Sequence, residues 1–350
     1  MTLSLHEQII DGTLEGVDLS GTHLVGIDLS GIRLRHVNLQ RADLRNAQLN
    51  EADLDHCQLD QAILSQASLI GARLTDCSLQ NCQMDHTNLM TAELTRCSLA
   101  GSQAQESNWS ASVLDSCVLD DATLHSALME CCKLTHCSLV NTRLDEANLS
   151  RWIVMESKLN SAHFYRNDLS QASLTACDLT AQQFPECTLT LTLLANAQLD
   201  GATFEAMELS QTVFVEASLK GANFKNVHAH SVNWALADLA QADFSGACLE
   251  MCDFSMAKLH STRIMNAQVS YTPMVGADAT HSVWDNSRIK FCDASHAKLD
   301  HASLRNTSLY LCNLHRVSED DTVWAGAELS EVNRTDPKRE AAENWTAKNA

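Results

Sequence analysis

The sequence predicts an all-β solenoid, a four-sided β-helix of about 15 coils closed by short terminal caps. Three observations predict it. From Leu14 to Leu314 every fifth residue is a large apolar one except at four alanines, 61 positions without an insertion or deletion, and 40 of them are Leu. Two residues before each stands a second constrained position, filled by Ala 24 times and Cys 12 times. Gly (12) and Pro (3) are scarce in 350 residues, so glycine-rich hairpins are not the building unit.

A period of five fits neither a 3.6-residue helix nor the alternation of a strand. It fits a chain that turns a corner every five residues. The large residue and the small one before it point inward, and the other three, mainly Asp, Asn, Ser, Gln, Arg and His, point outward. Four such sides close a coil of 20 residues. A single side cannot bury its apolar pair, but stacked coils can. The low aromatic content, 5%, agrees with a narrow core.

Stretches such as RADLRNAQLNEADLDHCQLD (41–60) and ADLAQADFSGACLEMCDF (237–254) resemble the pentapeptide-repeat family, whose consensus is A(D/N)LXX. The resemblance covers about 300 of the 350 residues. It implies a right-handed quadrilateral β-helix.

The repeat bounds three segments. Residues 1–13 are expected to cap the first coil, with LHEQII covering its apolar end, because open solenoid ends invite edge-to-edge pairing. Residues 14–316 form the β-helix. Residues 317–350 form a last irregular coil and a tail, where Asp336-Pro337 reads as an N-cap and first turn of a short helix over 337–348. Such a helix is too short to stand alone, so it docks through Trp345 or stays disordered. Inside the repeat, Trp152 stands where Ala is usual and predicts a bulge or an outward flip.

Residues 20 apart are vertical neighbours, so the sequence reads as a surface map. Cys57, Cys77, Cys97, Cys117 and Cys137 form one inward column and serve as small apolar filler. His36 and His56, and His281 and His301, are vertical pairs; His228 and His230 flank one inward position. None has an evident third ligand, and no metal or other cofactor is expected. Phe164, Phe184, Phe204, Phe224 and Phe244 should stack in one column.

From about residue 150 one corner turns apolar. On one side lie Ile153, Met155, Leu193, Val213, Val215, Leu236, Met256, Pro273 and Val275. On the side before it lie Leu191, Met251, Tyr271, Phe291, Tyr310 and Leu311. Their meeting predicts a contiguous stripe of a kind that monomers rarely leave bare. The expected occupant is another protein or a second copy of this chain. Cover by the C-terminal tail, or an inward turn of some of these residues, would also hide it.

Catalytic signatures are absent: there is no GxGxxG, P-loop, HExxH or GxSxG. The expectation is a non-enzymatic scaffold. A formal charge of −20 argues against direct nucleic-acid or anionic-membrane binding. The N-terminus lacks the pattern of a signal peptide, and 14 cysteines then fit a reducing cytoplasm. By analogy, the family resemblance implies bacterial adaptors beside secretion or effector systems. Alternatively, it implies an acidic mimic of DNA that binds a type II topoisomerase and protects it from inhibitors or toxins.

Overall fold

The structure is a computed structural model that describes residues 12–345. Most of the expected N-terminal cap, residues 1–11, and the last five residues lie outside that range. The chain is a parallel β-solenoid of about 16 turns with one short helix near its C-terminal end. It divides into two units, the first of residues 1–179 and 184–188, the second of 180–183 and 189–350.

The five-residue period is explained by a left-handed corner. One residue in five takes positive φ, +49° to +62° where it is not glycine. At most corners the N–H three residues on closes the turn, as Ala42 N–H does on the Leu39 carbonyl at 3.0 Å. Parallel bridges pair residues 20 apart, such as His23 with Asp43 and Asp43 with Ile63: Asp43 N–H donates to the Thr22 carbonyl, and Leu44 N–H to the Ile63 carbonyl.

In the first unit one side per coil forms a three-residue strand. These run from β1 (Thr13–Glu15) to β8 (Ile153–Met155) and pair in sequence order. In the second unit the strands run from β9 (Glu208–Ser210) to β15 (Glu328–Ser330), also at 20-residue intervals. The strand-bearing side therefore sits five residues earlier in the 20-residue coil than in the first unit.

That side explains the cysteines. Cys57, Cys77, Cys97, Cys117 and Cys137 each follow a strand, and so do Cys252, Cys292 and Cys312 in the second unit. All are buried and unpaired. Their thiols are more than filler: Cys77 Sγ donates to the carbonyls of Leu54 (3.4 Å) and Thr75 (3.3 Å), and the other ladder members repeat this. Thr142, Thr212 and Thr262 make the corresponding bond to the large residue one coil back. Burial pushes the Cys82, Cys177 and Cys252 thiols up to about 12, so they stay protonated at neutral pH.

The core of the second unit is aromatic. Phe204, Phe224 and Phe244 stack at 4.8 and 4.5 Å with planes within 6°. Phe214, Trp234 and Phe254 form a second column at 5.8 and 4.8 Å. The two columns come from opposite sides and meet edge to face at 5.4–6.0 Å, the favoured geometry for ring quadrupoles. In the first unit Phe164 and Phe184 pair at 5.4 Å, tilted by 40°.

Three of the four alanines at large positions have one explanation. Ala104, Ala229 and Ala279 each precede a buried tryptophan at the next large position: Trp109, Trp234 and Trp284. The small side makes room for the large one. Ser107 Oγ ties the first pair together, donating to the Ala104 carbonyl (2.5 Å) and accepting from Trp109 Nε1 (2.6 Å). Ser282 does the same between Ala279 and Trp284. The middle pair has Val232 there instead, and Trp234 Nε1 is buried without an acceptor. An unsatisfied buried N–H costs about 1–3 kcal/mol. Val232→Thr, which keeps the shape and adds an oxygen, should therefore raise stability in denaturant unfolding by about 1 kcal/mol.

Trp152 departs from expectation. It is fully buried, and the ladder passes through it without a bulge: Trp152 N–H bonds the Leu149 carbonyl, and Ser173 N–H the Trp152 carbonyl. Space comes from small neighbours in its own column, Ser112, Cys132 and Ala172, and from Val154 where Leu is usual.

At the C-terminal end the backbone ladder continues through residues 317–333 although the apolar signal has faded; Asn333 N–H still bonds the Cys312 carbonyl. Leu329 is exposed there. A helix follows, α1 (Pro337–Glu343), with Asp336 as N-cap accepting from the N–H groups of Lys338 and Arg339. It ends five residues short of 348.

Candidate functional site

The corner residues distinguish the two units. Positive φ costs an L-residue with a bulky side chain about 1–2 kcal/mol, and Asn, Asp and Gly tolerate it best. In the first unit every corner is Gly, polar, Ala or Cys. In the second unit seven corners carry large apolar residues: Leu191, Met251, Tyr271, Phe291 and Leu311 in one column, Leu236 and Met256 in the next. These two columns bound one side of the coil. All seven are 39–59% exposed.

Between the columns, successive coils present Met251–Asp253–Met256, Tyr271–Pro273–Val275 and Phe291–Asp293–His296. Tyr271 and Phe291 stack at 4.7 Å within 8° of parallel, and Tyr310 meets Phe291 edge-on at 5.5 Å. Gly276, at φ +65°, lies against the Met256 thioether: a Cβ there would meet the sulfur at 2.6 Å and the flexible side chain would have to shift. Leu193 is exposed on the same side of the second unit; Val213, Val215, Val275 and Tyr310 are half-buried. Ile153 and Met155, both exposed, lie on β8 in the first unit. None of these residues turns inward.

α1 docks on this side of the second unit, through a carboxylate rather than through Trp345, which is 75% exposed. Glu343 accepts from Arg339 Nε (2.8 Å), His315 Nε2 (3.2 Å) and Arg316 Nη1 (3.3 Å), and faces His296 Nε2 at 3.4 Å. Burial opposes its charge, but these donors hold the carboxyl at about 2. The sign follows. A lowered pKa stabilises the docked helix fully above the usual carboxylate range of about 4.3 and loses that contribution as pH falls through about 2. Glu343→Ala should release α1 at neutral pH, seen as fast amide exchange over 338–344 with the coils still protected.

Among the described residues, two groups gather three potential metal ligands within 4.8 Å: His296, His315 and Glu343, and Asp55, His56 and Asp76. The second gives His56 the carboxylate neighbours that the sequence did not reveal, but Arg96 already holds Asp76 through two bonds. In the first, the backbone N–H of Asp336 donates to His315 Nδ1 at 3.1 Å. Nε2 therefore carries the proton and faces Glu343, which opposes metal ligation through that nitrogen. Arg316 and Arg339 on the same carboxylate oppose it further. Among the described residues, His36 and His56 meet at 5.0 Å and His281 and His301 stack at 4.8 Å.

Family models described as pentapeptide repeat region and pentapeptide repeats match residues 52–128 and residues 14–50, 192–228 and 223–260, just over half of the chain. The chain belongs to the pentapeptide-repeat family. No curated protein matches this pentapeptide-repeat chain at a significant level. Among solved structures it is similar to HetL, a pentapeptide repeat protein involved in heterocyst differentiation regulation from the cyanobacterium Nostoc. The two are 18% identical over 90% of this chain and 87% of that one, with a TM-score of 0.16. It is also similar to QnrB1, a plasmid-mediated fluoroquinolone resistance protein, with 13% identity over 66% and 88% and a TM-score of 0.25. A third is Rfr23 from the cyanobacterium Cyanothece, with 23% identity over 35% and 90% and a TM-score of 0.21. No helix among the described residues is long and apolar enough to cross a membrane.

The apolar columns were legible in the sequence; their strain was not, because the corner's φ is a property of the coil. The Glu343 cluster was missed too. Its signal, a Glu at the C-terminal end of a short capped helix with His296, His315 and Arg316 upstream, has no fixed spacing.

Proposed function

We propose that this pentapeptide-repeat chain is a non-enzymatic scaffold that binds a partner protein on the side of the second unit bounded by Met251, Tyr271, Phe291 and Leu311 and by Leu236 and Met256. One observation carries the reading. Seven bulky apolar residues occupy left-handed corners, all in two adjacent columns and all exposed. Folding favours Asn, Asp or Gly at each, and burial in the core returns nothing at these positions. Corners in both units share the left-handed φ; what marks these seven is that bulky apolar side chains there stay exposed, as at an interface. Leu191, Leu193, Val213, Val215, Val275 and Tyr310 extend the surface within the same unit; Ile153 and Met155 contribute a separate exposed pair on β8. Fourteen free cysteines fit a reducing, cytoplasmic setting. Tyr271→Asp with Phe291→Asp tests the reading by co-purification and native mass.

The DNA-mimic reading rests on the charge of −20. Against it, the carboxylates of two columns of the second unit are ion-paired: Lys258 and Lys220 on Asp238, Lys298 on Asp278, Lys225 and Arg263 on Asp243. If mimicry operates, the chain protects gyrase supercoiling from a fluoroquinolone, and added salt abolishes the effect.

A further inference from the structure

α1 demonstrates what this side accepts. The helix lies across the coils of Asp293 and Asn313, with Arg339 lining a polar cleft beside Asn313 and His315. Asp293 Oδ1 accepts from Ser295 N–H at 2.8 Å and from Asn313 Nδ2 at 3.0 Å. The charge of Arg339 also reaches it: burial opposes ionisation, yet Ser295, Asn313 and Arg339 hold its carboxyl below the usual range.

Asp253 is the same position two coils earlier. Its Oδ1 accepts from Ser255 N–H at 2.7 Å, as at Asp293. The coil beneath it offers Pro273 in place of Asn313, so it gains no side-chain amide from that coil. No cation among the described residues forms an ion pair with it. This half-buried carboxylate is surrounded by exposed Met251, Met256 and Tyr271, and by Pro273 and Val275. Two coils correspond to about 10 Å at the spacing of neighbouring strands. Packed helix axes lie about 8–10 Å apart. The patch therefore lies at helix-packing distance from the coils that α1 contacts.

We propose that the partner, on the docking reading above, presents one amphipathic helix that lies beside α1, its apolar face on Met251, Met256, Tyr271 and Phe291 and a Lys or Arg on Asp253. A second copy of the chain is the poorer occupant, because each copy carries −20. The mode is helix on groove, with the charge setting register and the apolar side chains setting affinity.

The test uses the full chain and two synthetic peptides of about 18 residues, long enough to be helical. Both carry leucine on one face; they differ only in having Arg or Glu at one polar-edge position. The Arg peptide should bind about tenfold more tightly at low salt. Asp253→Lys should reverse the order, and Met256→Asp should abolish binding of both, with circular dichroism unchanged in each variant. Equal binding of the two peptides, still lost in Met256→Asp, overturns the charged-helix inference and leaves the docking surface standing. So does a dimeric native mass that Tyr271→Asp with Phe291→Asp converts to monomer while neither peptide binds. No peptide binding and a monomeric mass unmoved by those substitutions overturn both.

Discussion

Ala104→Leu and Trp109→Leu each destabilise the first unit by about 2–3 kcal/mol, and the double variant recovers most of that loss. The reason lies in the shared volume of one coil. Trp109 is fully buried and projects over a side where Ala104 supplies a methyl in place of an isobutyl group. Leucine at 104 pushes into the indole and forces off-rotamer packing. Leucine at 109 leaves a void above Ala104 that closed coils on either side cannot collapse into, and Ser107 Oγ loses the indole N–H at 2.6 Å. With leucine at both positions the coil regains the pattern of its neighbours. The readout is a double-mutant cycle in denaturant, with a coupling energy of about 2 kcal/mol or more. Additive losses would show that the two residues do not share space.

Tyr271→Asp with Phe291→Asp should weaken partner binding by at least about 2 kcal/mol, roughly thirtyfold, because large exposed aromatics are typical hot spots. The same variant should not lose thermal stability. Both residues are solvent-exposed, at 54% and 39%, and both sit at corners with φ of 52° and 56°. Asp adopts that conformation more readily than Tyr or Phe. A variant that keeps its partners sinks the docking surface. A variant that loses them by unfolding, seen as a drop in melting temperature, shows instead that the corners are structural.

These expectations separate what each level of description can carry. The five-residue period needs no tertiary knowledge: Leu or a comparable large residue at all but four of 61 regular positions specifies the coil, because only a corner every five residues buries that pattern. The phenylalanine spacing likewise foretold the stacked column of Phe204, Phe224 and Phe244. Trp152 did not yield to the same reasoning, because whether a large residue fits depends on volumes above, below and beside it. Ala104 and Trp109 carry the same lesson in readable form, five residues apart, yet the compensation has meaning only once both are known to face one core.

The apolar columns around Tyr271 and Phe291 are a property of the sequence, since 20-residue spacing alone aligns them. What the tertiary structure decided is their cost and their company. Left-handed corners make those side chains unfavourable for folding. The turn of α1 back onto its own coils brings Arg339 toward Asp293 and leaves Asp253 without a cation. Both facts depend on where the backbone bends and on groups dozens of residues apart meeting in space, and local pattern encodes neither.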